Sequence, residues 1–90
     1  MSVKVKIAPI LRKSTNRQEL VEVTGHSPME CLHALEVQFP NIKRWLYDKE
    51  GKLQPQVLLF VNGERIHTGE LKKPLNDGDE LSILVAIGGG

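Results

Sequence analysis

The sequence holds one cysteine, few aromatic side chains, no excess of either charge and no long apolar run, and each shortage removes a class of function. Cys31 stands alone among 90 residues, so no disulfide forms within the chain, which suits a reducing compartment. Twelve Lys and Arg oppose eleven Asp and Glu, a formal charge of +1, whereas a nucleic-acid-binding module normally carries a marked basic excess. Neither adjacent cation pair, Lys43-Arg44 or Lys72-Lys73, is flanked by several aromatics, so both read as solvated surface. No apolar run approaches the roughly 20 residues needed to span a bilayer, and Met1 to Lys6 alternates valine with lysine, unlike a signal peptide. A soluble cytoplasmic protein is expected, with neither membrane nor nucleic acid as partner.

Catalytic signatures are missing as well. His26, His33 and His67 have no metal-ligand spacing with cysteine or carboxylate, so no metal site is expected. There is no P-loop, no dinucleotide fingerprint and no arguable Ser/His/Asp set. Ninety residues make one modest core, able to present a binding surface but not a deep reaction cavity. The domain itself is therefore not expected to be an enzyme.

What is present is a clear order of elements. Val3, Val5 and Ile7 alternate with Lys4 and Lys6, the period-2 pattern of a half-buried strand, and Pro9 ends it. A polar connection, Arg12 to Arg17, leads to a weaker strand pattern over Gln18 to Val23, so a hairpin with a long loop is predicted. Ser27-Pro28-Met29-Glu30 matches a capping box with proline at the first helical position. Cys31, Leu32, Leu35 and Phe39 then share one helical face, and Pro40 stops the helix. On that apolar face Cys31 reads as a small buried hydrophobe, not as a thiol nucleophile. Ile42, Trp45 and Leu46 suggest a further short turn packed on the core. Val57 to Val61 is a strongly apolar central strand, and Asn62-Gly63 is the preferred pair for a type I′ turn into Glu64 to His67. Asn76-Asp77-Gly78-Asp79 turns the chain once more before the last strand, Leu81 to Val85. The order β-β-α-β-β-β implies an α+β roll of the ubiquitin-like β-grasp type, with the helix on one sheet face and the first and last strands parallel at its middle.

The sequence ends on Gly88-Gly89-Gly90, directly after that strand. Glycine loses the most backbone entropy on ordering, so such a tail adds nothing to a fold. A scar or a frayed end is the bland explanation. The sharper expectation is a slim tail, residues 88–90 on a domain spanning 1–87, that threads a narrow channel and presents its carboxylate. Alternation also predicts a surface. With Val57, Leu59 and Val61 facing the helix, Leu58 and Phe60 face away, and Leu84 joins them from the last strand, with Ile87 extending the patch. An apolar sheet face without an internal partner marks an interaction site.

Several segments together resemble the MoaD/ThiS family of ubiquitin-like sulfur carrier proteins, in its CysO-like branch. They are the opening strand with Ile10-Leu11-Arg12, the helix Pro28 to Phe39 followed by Pro40, Val57 to Gly63, Leu75 to Ile83 with its Asn76-Asp77-Gly78-Asp79 turn, and the terminal Gly89-Gly90. The likeness covers nearly the whole chain. Relatives often have proline where Val85 or Ala86 stands, and alanine or serine where Gly88 stands.

The resemblance implies that Gly90 is adenylated with ATP by a ThiF/MoeB-like partner enzyme and converted to a thiocarboxylate, with Gly88 and Gly89 keeping the tail thin. No cofactor is bound by the carrier itself. Residues 86–90 could extend about 17 Å into a partner. The implied sulfur acceptor is a cysteine-synthase-like enzyme, with the large subunit of molybdopterin synthase as the alternative and a monomeric carrier expected. A ubiquitin-like modifier joined through Gly90 to target lysines, and an interaction domain with an inert tail, are the readings from other classes.

Overall fold

The structure, a computed structural model, describes residues 2–86. Five strands form one mixed sheet in the order β2-β1-β5-β3-β4: β1 Ser2–Ile7, β2 Leu20–Thr24, β3 Val57–Val61, β4 Glu64–Ile66 and β5 Glu80–Val85. β1 and β2 are antiparallel, with Val5 opposite Val21. β1 and β5 run parallel at the centre, Val5 opposite Leu81 and Ile7 opposite Ile83. This is the β-grasp arrangement the element order implies.

Helix α1, Pro28–Gln38, crosses from β2 towards β3. It starts where the sequence places it: Ser27 Oγ accepts the Glu30 N–H at 3.2 Å, with Pro28 in the first turn. Glu30 Oε1 accepts from the His26 N–H at 2.9 Å, one residue outside the cap, so the box closes around a wider loop. Gly25 precedes this turn. A Cβ there would stand 2.9 Å from Cys31 Sγ and 3.0 Å from Cys31 N, so only glycine lets β2 pass so close to the helix.

The core lies between α1 and one sheet face. Cys31, Leu32, Leu35 and Phe39 meet Val3, Val5, Ile7, Leu59, Leu81 and Ile83, all buried. Each such aliphatic side chain contributes roughly 1.5–3 kcal/mol by leaving water. The alternation read from the sequence therefore fixes which side of every strand packs.

Three local departures have physical causes. The connection after β1 is not merely polar: Pro9–Thr15 forms a 3-10 helix that buries Leu11 and Thr15, and the chain leaves it through Asn16 and Arg17 at φ 53° and 64°. β2 begins at Leu20, not Gln18. After Pro40 a 3-10 turn, Pro40–Ile42, runs into the four-residue helix α2, Lys43–Leu46. Ile42 and Leu46 are fully buried as expected, but Trp45 is 40% exposed. Ile42 and Leu46, four residues apart, share the inward face, and Trp45 lies at its margin.

Candidate functional site

β5 is the element that leads to the tail, and it is held from both sides. β1 pairs along one edge and β3 along the other. Its inward residues Leu81 and Ile83 are fully buried. Past the paired region, Ala8 N–H donates to Ile83 O at 3.1 Å and Ala86 N–H to Gln56 O at 2.7 Å. Ala86 is thus still registered to the fold. Ile87, Gly88, Gly89 and Gly90, and with them the boundary expected at residue 87, lie outside the described residues.

The outer sheet face carries the expected side chains. Leu58 is opposite Leu84, and Phe60 is opposite Ser82. Leu84 is 40% exposed, while Leu58 and Phe60 are half-buried, shielded by their neighbours along the sheet. Arg65 stands opposite Phe60 on β4, and Lys6 opposite Ser82 on β1. An apolar centre with a charged border of both signs results on the face away from α1, since Lys4 on that face stands opposite Glu80 and Glu22.

The titratable and nucleophilic side chains among the described residues form no reactive set. Cys31 is fully buried, and burial, with the Glu30 carboxylate adding to it, pushes its thiol up to about 11. A thiol so raised stays protonated at neutral pH and is inert as a nucleophile. His26, His33 and His67 are exposed, and no cluster of metal-ligating side chains occurs among the described residues. Tyr47 and the buried Glu36 form a part-buried polar pair. The Tyr47 hydroxyl donates to the Glu36 carboxylate, and burial followed by that contact raises the phenol above its ordinary value. They tie the end of α2 to α1, a structural duty. No helix among the described residues is long and apolar enough to cross a membrane.

Sequence reasoning missed the polar anchoring of the tail's root. Gln54 Nε2 donates to the carbonyls of Arg44 and Tyr47, each at 3.2 Å, and Gln56 Nε2 donates to Gln54 Oε1 at 3.0 Å. Glutamines in a polar segment carry no periodic signal, so only the folded chain brings them out.

Residues 5–90 match the ThiS family. The chain belongs to that family. This ThiS-family chain is 36% identical to the sulfur carrier protein CysO of Mycobacterium tuberculosis, with the whole of both chains covered. Among solved structures it resembles a chain of the BexX/CysO complex from Amycolatopsis orientalis, at 36% identity and a TM-score of 0.85, covering 98% of this chain and 99% of that one. Small archaeal modifier protein 1 from Methanosarcina acetivorans is also similar, at 27% identity and a TM-score of 0.86, with 99% and 96% covered.

Proposed function

We propose that this chain is a sulfur carrier whose Gly90 carboxylate is the reacting group. The observation that carries the reading is identity to a sulfur carrier protein along the whole of both chains. The chemistry requires activation, because a carboxylate resists nucleophiles. A carboxylate oxygen attacks the α-phosphorus of ATP on a ThiF/MoeB-like enzyme, and pyrophosphate leaves. A sulfur nucleophile then adds to the acyl carbon and AMP leaves, so that one oxygen is exchanged for sulfur. The resulting thiocarboxylate is a soft nucleophile tethered to a protein. The carrier is a co-substrate of these enzymes, binds no cofactor itself, and works in the cytoplasm as a monomer.

Support from the fold is mechanical. The strand that precedes the tail is locked at the sheet centre, and three glycines need little room in a narrow mouth. Leu58, Phe60 and Leu84 form the face that the partner grips, Ile87 is the further contact expected from the sequence, and Gly88 and Gly89 keep the tail slim. The favoured acceptor is a cysteine-synthase-like enzyme, ahead of the large subunit of molybdopterin synthase, because the relatives at 36% identity are CysO proteins.

Intact mass tests the reading. Incubation with the activating enzyme, ATP and sulfide is expected to add the mass difference between one sulfur and one oxygen. A chain lacking Gly89 and Gly90 is expected to gain nothing while melting at the same temperature. No gain in the full chain with a competent enzyme would refute the carrier role. The likeness to small archaeal modifier protein 1 favours a second reading, conjugation through Gly90 to lysines. That reading expects heavier protein conjugates in place of the sulfur mass.

A further inference from the structure

A second surface stands at the root of the tail, away from the outer sheet face. Ala86 is bonded to Gln56, and Gln56 to Gln54. Gln54 in turn holds α2 from three directions, its N–H donating to Leu46 O at 2.8 Å and its side chain to the carbonyls of Arg44 and Tyr47. α2 is also clamped from below, since Ile42 and Leu46 are fully buried and Tyr47 bonds Glu36. This short helix is therefore packed on the core and connected to Ala86 by a continuous run of hydrogen bonds.

Outward, α2 displays Lys43, Arg44 and Trp45, all exposed. The chain has a single tryptophan, and its indole lies on the surface. Among the described residues neither Lys43 nor Arg44 is within ion-pair distance of a carboxylate. Tryptophan and arginine are the side chains that most often dominate binding energy at interfaces, and unpaired cations at a rim steer an anionic partner.

Reach decides what meets this surface. Four residues beyond Ala86 extend at most about 14 Å, so an enzyme holding Gly90 in its reaction site brings the rim of its channel up against the root of the tail. We propose that the outer face of α2 is a docking contact for the enzyme that takes the tail. The complementary rim carries carboxylates facing Lys43 and Arg44, beside an apolar slot for Trp45. The inference rests on the carrier reading above.

Adenylation kinetics of the full chain with its activating enzyme test this, at about 0.1 M and about 1 M salt, where the screening length falls from about 10 Å to about 3 Å. K43E/R44E is expected to raise KM about tenfold at low salt and only about twofold at high salt, with kcat held within about twofold. W45A is expected to raise KM about fivefold at both salts. K72E, on the loop leading to the opposite end of β5, serves as the control and is expected to leave KM unchanged. Melting temperatures near that of the wild type exclude misfolding as the cause. An active wild type with unchanged KM in K43E/R44E and W45A overturns the docking inference alone. So does an equal rise in K72E, which would mark a general charge effect. A wild type that is never adenylated overturns the carrier reading, and this inference with it.

Discussion

The two ends of β5 are built differently. At its beginning, three segments are laced by polar bonds. Asn62 Oδ1 accepts the Glu80 N–H at 3.0 Å, and Asn62 Nδ2 donates to Asp79 Oδ1 at 3.1 Å. Asp79 Oδ2 accepts the Asn76 N–H at 2.8 Å, while Asp77 Oδ1 accepts the Ser2 N–H at 2.7 Å and Ser2 O the Gly78 N–H at 2.8 Å. At its far end the links run from Ala86 to Gln56 and through Gln54 to α2, while Leu84 and Trp45 each stay 40% exposed beside them. The difference shows how a small fold can be both stable and available. The first end is closed by side chains of its own turns, whereas the second is tied down by two glutamines and leaves Leu84, Lys43, Arg44 and Trp45 exposed.

The largest effect should separate the two faces of β5 itself. Ile83 is fully buried, and Ile83→Ala is expected to cost about 2–5 kcal/mol. Its neighbour Leu84 is 40% exposed, and Leu84→Ala should cost less than about 1 kcal/mol. Urea midpoints of the two variants measure the contrast, and equal losses would mean that the outer face is packed and not free. A smaller effect is expected at the laced end. Asn62→Ala removes both side-chain bonds and leaves alanine at φ 50°, for a combined loss of about 1–3 kcal/mol. Asn62→Gly keeps the turn conformation, so its smaller loss would isolate the hydrogen bonds.

Much of this architecture was legible in the sequence because its signals are local. Period-2 alternation in Val3 to Ile7 and in Val57 to Val61 reports a sheet with one packed face, and Asn62-Gly63 requires left-handed backbone at both positions, found at φ 50° and 83°. The outward placement of Leu58, Phe60 and Leu84 follows from the same period. Other features depend on tertiary position. Pro9–Thr15 is a 3-10 helix whose three-residue turn leaves no apolar stripe, and its buried Thr15 is held by a hydroxyl bond to Gln18 O at 3.0 Å. Ile42, Trp45 and Leu46 read together as a turn packed on the core, yet only the two aliphatics fill its inward face and Trp45 is 40% exposed. The bonds from Ala86 through Gln56 and Gln54 to α2 join two glutamine side chains to backbone carbonyls distant in sequence, and no local pattern announces such partners.

The smallest effect concerns the carboxylate at the laced end. The Asn76 N–H, and after it the Asn62 amide, hold Asp79 below the ordinary aspartate range. A group depressed in the folded state contributes stability that is complete above its unfolded value, near pH 4, and is lost as the pH falls through the folded value. Glu70, lowered by the His67 N–H and by Lys73, loses its contribution in the same direction. Wild-type stability should therefore decline below about pH 4, and Asp79→Asn should decline less steeply across that window because one of the two carboxylates is gone. Both groups are in contact with solvent, which keeps the difference small, and chemical denaturation at closely spaced pH values is needed to resolve it. Leu84→Ala, at the other end of the strand, should follow the wild-type slope. If Asp79→Asn follows it too, the charge adds nothing to the closure of that end, and the contrast between the two ends rests on neutral hydrogen bonds alone.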